Sequence, residues 1–127
     1  MRKENQGFQY LNILEAPDPS QLTEYHNAPA EVRVVHRSRD GRHLTFYGAL
    51  PNGVKFTEHV ANVEETFYII KGTIRCMPKG GQLITWGPGD LVYWPYDCDF
   101  DLEYSPELQC ICFFWSDEPL PDYTGGR

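Results

Sequence analysis

The sequence predicts an all-β fold, and three observations carry that reading. Short β-rich segments follow one another at steady spacing. Turns containing glycine or proline separate them. Hardly any stretch reads as helix. The chain has 127 residues, 41% hydrophobic and 14% aromatic. That suffices for one domain with a real core. The net charge is −7, and no basic patch appears, so no nucleic-acid partner is expected. No stretch nears the roughly 20 apolar residues of a membrane span, so no membrane is expected either. The first residues have a charged start without the apolar region of a secretory signal, and the cytoplasm is the expected compartment.

The elements follow in order. Residues 1–30 form an N-terminal arm broken by Pro17, Pro19 and Pro29. Within it Ser20–Tyr25 reads as one helical turn capped by Ser20. Residues 31–116 form the barrel, and residues 117–127 a polar tail. Glu31 to Ala49 reads as a hairpin around Asp40-Gly41, a favoured turn pair. There Val32, Val34 and His36 share one face by the period of two. A strand runs on from Gly53, Val63-Glu64-Glu65 turns the chain, and the run to Gly72 is an interior strand. Lys79-Gly80-Gly81 tips the next hairpin. Leu91 to Trp94 is short and ends at Pro95. In the next strand Cys98, Phe100, Leu102 and Tyr104 face inward, while Asp99, Asp101 and Glu103 face solvent. Leu108 to Trp115 is apolar on both faces. The four cysteines, Cys76, Cys98, Cys110 and Cys112, lack paired metal-site spacing and read as free thiols.

One stretch carries a known pattern. Gly53, His59, Glu65 and Gly72 match the spacing G-x5-H-x-H-x3-4-E-x6-G, with Ala61 in place of the second histidine. Gly89 and Pro95 match the start of a second pattern, G-x5-P-x-G-x2-H-x3-N. There Asp97, Phe100 and Tyr104 replace its later glycine, histidine and asparagine. These motifs resemble those of the cupin superfamily. The phenylalanine for histidine is similar to the ethanolamine-utilisation-like cupin subgroup. The resemblance implies a single double-stranded β-helix, or jelly-roll, barrel, and a homodimer. It also implies a divalent metal, Fe, Mn, Ni or Zn, held by three imidazoles and a carboxylate. Here only His59 and Glu65 remain of that set. With Ala61 and Phe100 in ligand positions, no cofactor is the leading expectation. If a metal is present, His59 and Glu65 hold it, with His36, His43 or Tyr47 as substitutes.

Without metal, His59 and Glu65 become the expected catalytic acid/base pair. Burial and pairing shift such groups in opposite directions and can poise one near neutral pH. Tyr47, Phe67, Arg75, Trp94, Phe100 and Tyr104 are the expected substrate-binding residues. Arg75 would clamp a carboxylate, and the aromatic residues would form walls. Tyr68 and Tyr93 are further hydroxyl donors, and Trp86 and Trp115 further walls. Glu58 and Glu64 are expected in solvent. The expected partner is a small-molecule substrate. The expected reaction is isomerisation, epimerisation, elimination or cyclisation of a small metabolite. Two alternatives stand beside it: a metal-dependent oxygenase or hydrolase with remodelled ligands, and a non-catalytic binding or assembly protein.

Overall fold

The computed structural model describes residues 2–60, 62–95 and 98–120. The described residues form twelve strands, and every strand pairing among them is antiparallel. β1 (Lys3–Asn5) and β2 (Phe8–Tyr10) form a small hairpin of their own. The other ten are β3 (Leu22–Tyr25), β4 (Ala28–Arg37), β5 (His43–Leu50), β6 (Val54–Val60) and β7 (Val63–Lys71), then β8 (Ile74–Pro78), β9 (Ile84–Trp86), β10 (Leu91–Trp94), β11 (Cys98–Tyr104) and β12 (Leu108–Ser116). They make a six-stranded sheet, β10-β7-β12-β5-β4-β3, and a four-stranded sheet, β6-β11-β8-β9. From β5 onward the chain crosses from one sheet to the other at every step but β8 to β9, consistent with a jelly-roll. Among the described residues no strand pairing joins the two sheets, so they face each other as a sandwich and not as one closed ladder. No helix there is long and apolar enough to cross a membrane.

The core lies between the sheets. Phe67, Ile69, Ile74, Cys76, Leu102 and Leu108 are almost fully buried. Each follows the period of two along its strand. The expected inward set on β11 holds for Phe100, Leu102 and Tyr104, and Asp99, Asp101 and Glu103 face out. Cys98 lies outside the described side chains. Asn62, at positive φ, precedes β7, so Val63 and Glu64 already belong to the strand and not to the turn.

Two further expectations change. The arm's helical turn is a 3-10 turn at Pro19–Gln21, capped by Asp18 and not by Ser20. The Gln21 side chain accepts in return from the Asp18 N–H at 2.9 Å, which closes a capping box. Leu22 to Tyr25 then becomes β3 and adds an edge to the large sheet. The second change is a β-bulge in β4. Val34 pairs with Phe46, but His36 pairs with Thr45, so the extra residue is Val35. A bulge reverses the faces beyond it. His36 therefore leaves the face of Val32 and Val34.

Candidate functional site

A cavity of about 90 Å³, partly open to solvent, lies between the sheets. Its wall is mostly apolar: Phe46, Leu50, Phe67, Ile74, Leu108 and Phe114 line it. Its polar groups are few. Glu65 enters from β7, Tyr104 from β11, Tyr25 from β3, and Cys110 and Cys112 from β12. Glu31 also borders it, while its carboxylate pairs with Arg33 on the outer face. Cys110 and Cys112 share a face as expected, with sulfurs 3.5 Å apart, and both are free thiols.

Tyr104 is the centre of this group. Its hydroxyl lies deep, although part of the residue borders the cavity. Burial raises its pKa well above the usual tyrosine range, and the charges of nearby Tyr25, Glu65, Cys110 and Glu58 push the same way. The phenol is therefore a neutral hydrogen-bond donor at any physiological pH. Aromatic rings fix it: Tyr25 stacks on it at 6.3 Å, and Phe56 meets it edge-on at 5.4 Å.

His59 and Glu65 are not brought together. His59 pairs in register with Asp99 on β11, and the two side chains are hydrogen-bonded. His59 is 57% exposed and lies on the outer face of the small sheet. Glu65 lines the inner cavity from the opposite sheet. The reason is alternation. Val54 and Phe56 pack on the core, so Lys55, Thr57 and His59 must point out. Glu58, expected in solvent, has the parity of Phe56 and pairs with Phe100, which puts it on the inner face, half-buried.

The other expected residues divide. Phe67 and Tyr104 line the cavity. Trp94 and Phe100 are buried beside Phe67, with ring centroids 4.8 Å apart. Trp94 sits opposite Glu65 in register, and its buried indole N–H has no hydrogen-bond partner. Arg75 does not face the cavity. It is exposed on the outer face, 3.9 Å from Glu103. Tyr47 is buried on the outer face of the large sheet. There Arg33, only 2% exposed, lies over its ring, pairs with Glu31 at 2.8 Å and donates to the Asn12 carbonyl. Burial raises the Tyr47 phenol, Glu31 adds to this and Arg33 opposes it. Tyr68, Tyr93 and Trp115 are exposed, while Trp86 packs on Phe67 and Trp94.

The usual four-ligand metal set does not fit these positions. His59 points outward, the Phe100 ring is buried where a histidine would bind, and Ala61, outside the described residues, has no ligand atom. Of the three described positions, His59, Glu65 and Phe100, only Glu65 lines the cavity. His36 is hydrogen-bonded to Gln9, and His43 packs on Trp115. Among the described residues no three His, Cys, Asp or Glu side chains are grouped to hold a metal ion.

Two residues at the site were not anticipated. His26 sits in the β3–β4 turn and stacks on Phe56 at 3.8 Å, close to Tyr25. Its turn, His26-Asn27 at positive φ, carries no common turn dipeptide. Tyr25 was assigned to a helical turn and thus to no cavity.

The profile of the EutQ-like cupin domain matches residues 52–105. That match covers under half of the chain, and this stretch is similar to the cupin family it describes. Solved structures share the fold of this chain over most of its length. KdgF from Halomonas sp. has 13% identity and a TM-score of 0.65, covering 94% of this chain and 98% of its own. The Clostridium difficile EutQ protein has 14% identity and a TM-score of 0.67, covering 93% and 87%. Ectoine synthase from P. lautus has 17% identity and a TM-score of 0.68, covering 84% and 77%. At such identities the likeness is one of fold, and cupins of this fold include enzymes. Among curated proteins no sequence match is found.

Proposed function

We propose that this protein is a small-molecule enzyme in which Glu65 moves the substrate's proton while the Tyr104 hydroxyl holds the substrate by a hydrogen bond in the inner cavity. The observation that carries this reading is the neutral, deeply set Tyr104 phenol sharing an apolar cavity with the Glu65 carboxylate. A phenol kept neutral donates a hydrogen bond to a substrate oxygen where charge develops, and a carboxyl group can exchange the proton. A mostly apolar pocket with few polar groups is what a small-molecule site looks like. The reaction class stays as expected from the residues: isomerisation, epimerisation, elimination or cyclisation. Enzymes among the structural neighbours, such as ectoine synthase, support an enzyme over a passive barrel.

The test is untargeted chromatography with mass spectrometry on a metabolite extract incubated with purified protein. Wild type and His59→Ala should consume the same compound, while folded Glu65→Gln and Tyr104→Phe should not. Turnover that survives both cavity substitutions, or depends on His59, removes the acid/base reading.

A further inference from the structure

We propose that Cys110 and Cys112 form a dithiol capture site inside the cavity for a monosubstituted trivalent arsenical, R–As(OH)2, with a small alkyl substituent. The two residues lie on one face of β12 with their sulfurs 3.5 Å apart, and both carry free thiols. Both line the cavity, which is partly open to solvent. Direct oxidation does not suit the pair. Same-face Cβ atoms two residues apart on a strand are about 6.6 Å from each other, whereas a disulfide holds them at about 3.5–4.5 Å. The pair therefore stays a dithiol, and an atom placed between the sulfurs can bridge them where a direct bond cannot.

The spacing selects the bridging atom. A centre bonded to both sulfurs at about 2.3 Å, the length of a zinc–thiolate bond, would be bent to about 100°. That bend excludes a linear two-coordinate ion, whose sulfurs would stand about 4.6 Å apart. A tetrahedral metal ion fits the angle but needs further ligands. Among the described residues no three His, Cys, Asp or Glu side chains are grouped to supply them. A pyramidal trivalent arsenic fits the angle and needs only the two sulfurs, because its third bond goes to its own carbon. The surroundings suit that carbon. Cys112 lies in register between Phe46 and Phe67, and Cys110 lies opposite Gly48, which puts no side chain beside the sulfur. A space of about 90 Å³ limits the substituent to a small alkyl group. In the capture two S–As bonds form and two As–OH bonds break. Each thiol proton leaves with a hydroxide as water, and no atom is oxidised or reduced.

Methylarsonous acid, incubated with the reduced protein and followed by intact-mass spectrometry, tests this. One arsenical per chain should survive an excess of glutathione, a monothiol, and leave with dimercaptopropanol, a dithiol. Cys110→Ser and Cys112→Ser should each weaken capture by about a hundredfold or more, because the second bond of a chelate forms within one molecule. Cys98→Ser should capture as wild type does. If Cys112→Ser fails to fold, the half-buried Cys110→Ser and the glutathione challenge on wild type still decide. An adduct that glutathione removes, that persists in Cys110→Ser or that is lost in Cys98→Ser overturns the inference. So does zinc, offered alone, that stays on the dithiol through gel filtration, or a Cys110–Cys112 disulfide formed in air. The site uses neither Glu65 nor Tyr104, so it stands or falls apart from the acid/base reading.

Discussion

Replacing Gly53 by alanine should destabilise this protein far more than the same change at Gly80, although both glycines lie in the left-handed region. Their φ angles are +68° and +75°. A residue with a Cβ in that conformation costs about 1–2 kcal/mol, and this part is common to both. The surroundings differ. A Cβ at Gly80 meets nothing within 4 Å. A Cβ at Gly53 would lie 2.3 Å from the Tyr104 carbonyl oxygen and 2.8 Å from the Pro106 nitrogen. Both are backbone atoms, so no side chain can swing away. The segment after β11 must shift bodily, and overpacking of this kind costs about 1–3 kcal/mol more. The expected losses are therefore about 2–5 kcal/mol for Gly53→Ala and about 1–2 kcal/mol for Gly80→Ala. Urea unfolding with a common m-value measures both. Equal losses would refute the reasoning, because only the clash distinguishes the sites. The same shift moves Tyr104, so ligand binding should weaken in Gly53→Ala and not in Gly80→Ala.

Three other outcomes are expected. Glu31→Ala should cost about 3–5 kcal/mol, since it leaves the buried Arg33 charge without its carboxylate, whereas Lys55→Ala, whose pair with Glu103 is exposed, should stay within about 1 kcal/mol; parallel denaturant curves compare them. Tyr104 should remain protonated as pH rises past about 10, where an unfolded tyrosine ionises. The unfolded state then binds fewer protons than the native state, so stability falls with rising pH; Tyr104→Phe should remove part of that alkaline loss in pH-dependent unfolding. Trp94→Phe should be nearly neutral by thermal melting: deleting the unpartnered indole N–H returns about 1–3 kcal/mol, and the two lost ring carbons cost about 0.8 kcal/mol each. A loss above about 3 kcal/mol, the range of deleting a whole buried aromatic ring, would mean that the N–H is satisfied after all.

Local sequence determined the β content, most strand positions and the inward set on β11, because these follow from alternation and turn chemistry within a few residues. It also held a signal about His59 that motif spacing overrode. Lys55, Thr57 and His59 share one parity, and Val54 and Phe56 the other. Burying His59 would bury Lys55 and expose the apolar pair, so alternation wins over the motif. The motif points to Glu65 and Tyr104 as inward residues, yet says nothing of their facing one cavity. Tertiary structure alone decided that both line one cavity, because β7 and β11 lie in different sheets. It also decided the burial of Arg33, which depends on Asn12 of the arm crossing its sheet. The bulge at Val35 and the seating of Tyr25 beside Tyr104 belong there too. Each depends on contacts between residues distant in the chain, and periodicity within a single strand carries no information about which distant strand will face it.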